Sequence, residues 1–295
     1  MRELQGHHRT IYCVAYSPDG RTLASGGLDD EVYLWDLHTG RVRDRLSYGE
    51  TLSALAFSPD GQRLAAGTFS GVIVDELDGS GYHDFPADLG GSCVLTFSER
   101  GEAVMVTGFL SSRIQVFGVA DGEKRDDLVG FRHGVLALAH APQAPLLASA
   151  GDYGDLLVWD TNDLRDRSGQ RRERANLVGH REAVYAVTFS REGRLVSGDR
   201  CGNIVIWPNP TGSMHRLPLQ GHTGAVRALA FTPDGRSLLS ASDDGTIRQW
   251  DPDSGRQTTA WNWQLGGVRC VALAPDGMTA AAAGSKGTIL VWDLD

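Results

Sequence analysis

Short runs of alternating apolar and polar residues recur along the whole chain. One is Val226-Arg227-Ala228-Leu229-Ala230-Phe231, and residues 237–241 and 246–250 form two more behind it. Each spans five or six residues between turn formers, a pattern that predicts half-buried strands rather than helices. The reversals are also recurrent. Ser17-Pro18-Asp19-Gly20 and Ser58-Pro59-Asp60-Gly61 are matched by Thr232-Pro233-Asp234-Gly235 and Ala274-Pro275-Asp276-Gly277. Proline followed by Asp-Gly supplies the dihedral angles of a tight turn between strands. Weaker copies lie at Ser98–Gly101, Ala141–Ala144 and Ser190–Gly193.

A second marker follows each turn: Trp35-Asp36, Trp159-Asp160, Trp207-Pro208, Trp250-Asp251 and Trp292-Asp293. Counting by period, Glu76-Leu77 and Phe117-Gly118 occupy the two remaining slots. The successive spacings are 41, 41, 42, 48, 43 and 42 residues. Gly6-His7, Gly179-His180 and Gly221-His222 stand ahead of the turn in the better copies. A fixed period of this length marks a repeat architecture.

Gly-His at the start, Trp-Asp at the end and about 42 residues between them resemble the WD40-repeat β-propeller family. Seven phased copies carry the resemblance over the whole chain. It implies an all-β, seven-bladed propeller of four-stranded antiparallel blades around a central channel. The expected blades are residues 6–47, 48–87, 88–129, 130–178, 179–220, 221–263 and 264–295. The last repeat lacks an outer strand, and residues 1–5 precede the first Gly-His. The family's strand-exchange closure implies that residues 1–5 complete blade 7, so that residues 1–295 form one domain.

Composition narrows the picture. The 37 Asp and Glu against 28 Lys and Arg give a net charge of −9, which argues against a nucleic-acid partner. Lys124 and Lys286 are the sole lysines; this arginine bias points to a G+C-rich, bacterial source. Cys13, Cys93, Cys201 and Cys270 show neither CxxC nor metal-ligand spacing, and free thiols suit a reducing compartment. No signal-peptide pattern or membrane-length apolar run is visible, so a cytoplasmic monomer without membrane contact is expected.

His7, Ser25, Asp29 and Trp35, and again His222, Ser240, Asp244 and Trp250, invite a Ser-His-Asp hydrolase reading. The resemblance implies a structural chain instead, from the Trp indole through Ser and His to the turn Asp. Blade 5 keeps His180, Ser197 and Trp207, with Cys201 in the Asp slot. Blade 4 keeps Ser149 and Trp159, while blades 2, 3 and 7 lack most of the set. Blades 2 and 3 are therefore expected to be the softest part of the ring. No Walker loop, HExxH, GxSxG or glycine-rich dinucleotide turn occurs, so neither enzyme activity nor a cofactor is expected.

In this family, partners dock on the top face. The slot before the turn Asp reads Leu28, Phe69, Leu110, Asp152, Arg200, Asp243 and Ser285. The slot after the first apolar residue of strand a reads Tyr12, Ser53, Cys93, Leu136, Tyr185, Arg227 and Arg269. Aromatic and Arg residues beside an apolar patch are the usual material of a protein-binding surface. The reading is thus a non-enzymatic scaffold that binds a peptide or protein segment through Tyr12, Leu28, Phe69, Leu110, Asp152, Tyr185, Arg200, Arg227, Asp243 and Arg269. The alternatives are a hydrolase or small-ligand propeller with a central-channel site, or the sensor domain of a larger signalling protein. Residues 162–174, with five Arg against three acids, read as a solvated loop or a basic docking loop. Trp261 and Trp263 read as half-buried rim residues.

Overall fold

A computed structural model describes residues 1–87, 89, 91–162, 174–212 and 215–294. The connection at 163–173, most of the long basic insertion, lies outside the described residues. The alternating runs fold into seven four-stranded antiparallel sheets, each one blade, labelled a to d from the channel outward. Strand a of each blade touches strand a of the next, and blade 7 touches blade 1, so the ring is closed.

Blade 7 takes its outer strand from the start of the chain. Arg2–Gln5 pairs with Thr288–Asp293, with Arg2 opposite Val291 and Gln5 opposite Thr288. Leu4 is buried there against Ile11, Leu23 and Ile289. The expected closure is what the structure shows.

A blade alone has two apolar faces and nothing to cover them, so the core forms between blades. Seven apolar clusters follow the ring, each joining two neighbours: 1 with 2, 2 with 3, and round to 7 with 1. The tight turns contribute at the bottom face. Gly61 has φ +71°, and the proline of the previous turn, Pro18, lies 3.4 Å from where a β-carbon would stand. Only glycine meets both conditions cheaply.

Turn length moves the Trp slot in blade 2. Leu23 pairs with Trp35 in blade 1, and the matching pair in blade 2 is Leu64 with Asp75. The slot therefore belongs to Asp75, one residue before Glu76, because the b–c turn of blade 2 is one residue shorter. The Tyr48 hydroxyl donates to Asp75, and burial raises that carboxyl above its ordinary value. In blade 3 the slot holds Phe117, as the period predicts, and the side chain is buried. Trp261 and Trp263 are half-buried on the rim and stack at 5.6 Å, with Trp263 edge-on to Trp292 at 4.7 Å.

Candidate functional site

Three blades carry a full polar chain. In blade 1, Trp35 Nε1 donates to Ser25 Oγ at 2.8 Å, His7 Nε2 meets Ser25 Oγ at 2.7 Å, and His7 Nδ1 meets Asp29 at 2.9 Å. Blade 6 repeats this with Trp250, Ser240, His222 and Asp244 at 2.8, 2.7 and 2.8 Å. One assignment satisfies every atom: the indole donates to Ser, Ser donates to Nε2, and Nδ1–H donates to the carboxylate. That assignment needs a neutral imidazole. Burial pushes His7 and His222 below their ordinary value, outweighing the upward pull of Asp29 and Asp244. Burial also tends to raise Asp244. Hydrogen bonds from Thr246, His222 and the Thr223 amide overcome that and hold it at about 2. Ser25 and Ser240 have no exposed surface, so neither can meet a substrate.

Blade 5 also closes its chain, which corrects the expectation that Cys201 fills its Asp slot. Asp199 supplies the carboxylate, 2.9 Å from His180 Nδ1, while His180 Nε2 and Trp207 Nε1 reach Ser197 Oγ at 2.7 and 2.9 Å. Asp199 stands two residues after Ser197, on the same face of strand b. It also accepts from the Cys201 and Asn203 amides and from Asn203 Nδ2; burial pushes its carboxyl up, but the hydrogen bonds from His180 and Asn203 outweigh that and hold it below the ordinary carboxylate value. Cys201 is exposed. Blade 4 keeps only Trp159 to Ser149, at 2.6 Å. In blade 7, Ala282 stands in the Ser slot, and Trp292 Nε1 is buried with no hydrogen-bond partner among the described residues.

The mouth of the channel is built by a different device. Strand a slips register in five blades: between Ile11 and Cys13, Val135 and Ala137, Val184 and Ala186, Val226 and Ala228, and Val268 and Cys270. Each slip leaves one residue without a ladder partner, and a bulge of this kind re-aims a side chain. The five residues are Tyr12, Leu136, Tyr185, Arg227 and Arg269. They line one cavity of about 460 Å³ at the mouth, together with Ser53 and Cys93 of blades 2 and 3. Those two blades are joined instead by Ser53, whose hydroxyl accepts from the Cys93 amide at 2.8 Å and donates to the Cys93 carbonyl at 2.9 Å.

The b–c turns supply the rest of the wall. Leu28, Phe69 and Phe109 line the cavity. Leu110 does not, although it is 72% exposed. A recurring hydrogen bond shows why. The residue just past strand b donates its amide to the preceding d–a loop at Leu28, Phe109, Asp152, Arg200, Asp243 and Ser285. The blade 3 turn is one residue longer than that of blade 1, so counting back from the Trp slot lands on Leu110 rather than Phe109. Phe69 and Phe109 are 52% and 47% exposed, and both flank Gly91. Asp152, Arg200 and Asp243 share the turn position but do not line the cavity, although Asp243 contacts two residues that do.

The opposite wall is charged. Arg227 lies over the Tyr185 ring at 4.4 Å and donates through Nε and Nη2 to Asp243 Oδ2 at 2.9 and 2.6 Å. Arg269 Nη1 reaches the other oxygen of Asp243 at 3.0 Å. Two cations thus share one carboxylate.

Comparison with known proteins places this geometry. The model of the family "WD domain, G-beta repeat" matches residues 1–36, 46–74, 171–208, 213–251 and 257–293, more than half of the chain. The chain belongs to the WD-repeat family. Among its relatives is a periodic tryptophan protein 2 homolog of Mus musculus, 36% identical over 64% of this chain and 20% of that protein. The homolog of Dictyostelium discoideum is 28% identical over 64% of the chain and 20% of its own length. Small ribosomal subunit protein RACK1y of Oryza sativa subsp. japonica is 34% identical over 55% of the chain and 51% of its own length. The chain therefore spans about a fifth to a half of the length of these three relatives.

The WD-repeat match leaves out residues 75–170, where the sequence marks are weakest. Blade 3 is nevertheless complete, with strands Cys93–Phe97, Ala103–Gly108, Arg113–Gly118 and Lys124–Val129 in register. Sequence reasoning missed Asp199, Phe109 and the slot of Asp75. The alternation of Ser197 and Asp199 on one strand face was the available signal for the first. Among the described residues, no helix is long and apolar enough to cross a membrane.

Proposed function

We propose that this WD-repeat propeller is a non-enzymatic interaction module that holds a protein or peptide segment across the top mouth of its channel. One observation carries the reading. Five strand bulges and two half-exposed phenylalanines from separate blades converge on one cavity. Packing does not ask for that convergence, since the core lies between blades. A cavity of this size, apolar with a few fixed polar groups, has the general form of a binding site. The rice relative is named as a small ribosomal subunit protein, which is in keeping with an assembly role.

Affinity capture from the source cell, with bound proteins identified by mass spectrometry, tests this. Phe69→Ser combined with Phe109→Ser is expected to lose partners that the wild type holds. Tyr82→Ser, an exposed position on the outer strand of blade 2, is expected to keep them. If the double variant retains every partner at wild-type yield, the mouth is not the site. The same preparations give the mass in solution, for which the reading expects a monomer of 31.8 kDa.

A further inference from the structure

The walls of the mouth differ in chemistry, and the difference specifies a ligand. Blades 1 to 3 offer Tyr12, Leu28, Phe69 and Phe109, while blades 5 to 7 offer Tyr185, Arg227 and Arg269. Arg227 is fixed, because Tyr185 stacks against it and Asp243 takes two of its N–H groups. Arg269 is less committed. Its one contact to Asp243 is the ion pair to Oδ1, an oxygen that, like Arg269 Nε, is buried without a hydrogen-bond partner among the described residues, and about a third of its side chain is exposed where it lines the cavity. The wall carries two guanidinium groups against one carboxylate, an excess of positive charge in a chain whose net charge is −9.

A carboxylate is the strongest partner for the exposed part of the Arg269 guanidinium. An apolar side chain entering the same cavity would instead meet the two phenylalanines and remove their exposed faces from water. Resting on the reading that the mouth binds a segment, we infer that the segment is an extended peptide bearing an Asp or Glu beside a large apolar residue. Its carboxylate pairs with Arg269, and its apolar neighbour packs on Phe69 and Phe109. Arg227 acts as the fixed counter-charge that holds Asp243 in place, so that Asp243 does not follow Arg269 when the ligand carboxylate arrives.

Selection of a random phage-displayed peptide library on the full chain tests the inference and the reading separately. Enrichment of Asp or Glu next to Leu, Ile, Phe or Trp is expected. A selected peptide, synthesised with a fluorescent label and titrated by anisotropy, is expected to bind Arg269→Gln at least roughly tenfold more weakly than the wild type. Replacing its acidic residue by the amide should cause a similar loss, and the two losses should not add. Arg269→Lys, which keeps the charge, should recover part of the affinity, and matched melting curves establish that the variants are folded. Apolar peptides selected with no acidic preference, or binding unchanged in Arg269→Gln, overturn the carboxylate pairing alone. If no selected sequence depends on Phe69 and Phe109, the binding reading falls and the inference with it.

Discussion

Asp199 and Ala282 show how much single positions decide in this ring. Asp199 accepts from His180, from Asn203 and from two backbone amides inside blade 5, so its removal strands several buried donors. Asp199→Ala is expected to cost about 2 kcal/mol in chemical denaturation. Cys201→Ala, at the exposed position where counting from the Trp slot puts the acid, should change stability by less than about 0.5 kcal/mol. Equal effects would contradict the assignment of the network. Blade 7 presents the converse. Trp292 Nε1 lacks a partner among the described residues, and Ala282 occupies the place where Ser149 alone serves Trp159 in blade 4. Ala282→Ser is expected to add about 1 kcal/mol, a rise in melting temperature of roughly 2 °C; a lower midpoint would mean that the slot has no room for a hydroxyl. Titration follows from the same networks. His7 and His222 have folded values below 6.5, so the unfolded chain binds their protons first. Their contribution is intact above 6.5 and is lost as the pH falls below it. Asp244, held at about 2 against an ordinary 3.8, adds a second loss between those values. The denaturation midpoint should therefore fall from neutral pH into the acid range, with a smaller slope below 6.5 in His222→Asn.

At the level of strands and turns, the sequence was legible wherever a chemical mark and a fixed length coincided. The Pro-Asp-Gly turns located blades 1, 2, 6 and 7, and the Trp markers located blades 1, 4, 5, 6 and 7. The strand-a slot, counted forward from the first apolar residue, named seven residues that line the mouth, one from each blade, though not Val94 and Val135 beside them. The b–c turn was less legible because it changes length. It is one residue shorter in blade 2 and one longer in blade 3, so equal spacings of 41 concealed compensating shifts that assigned Glu76 for Asp75 and Leu110 for Phe109. The bulges were not legible at all. A bulge alters which residues pair, and no residue type in strand a announces it. Closure belongs to this scale too. Leu4 is 1% exposed within the cluster that joins blades 7 and 1. Leu4→Ala should cost about 3 kcal/mol by emptying that space. An unchanged denaturation midpoint would mean that strand exchange contributes little to holding the ring.

Across the whole ring, stability is unevenly built. In blades 1, 5 and 6 a His before strand a, a Ser in strand b, an Asp at the b–c turn or, in blade 5, at the end of strand b, and a Trp in strand c are tied into one chain. Each net hydrogen bond contributes about 1 kcal/mol, and more when buried and coupled. Blade 3 puts Phe117 in the Trp slot, which fills space but donates nothing. Blade 2 puts Asp75 there, held by Tyr48 from the loop that enters the blade. Ser53 stitches these two blades together at the top, yet it spans their inner strands only and leaves strand c to the sheet ladder. A closed ring resists opening as a unit, but a blade without its chain can open locally at lower free energy. Amides of strand c in blades 2 and 3, Gly71–Glu76 and Arg113–Gly118, should therefore exchange faster than those of Glu31–Asp36 and Ile247–Trp250. The mouth draws Phe69 and Phe109 from these same blades, so a bound segment should slow exchange there more than in blade 6. Faster exchange in blade 6 than in blades 2 and 3 would show that the side-chain networks do not set local stability in this propeller.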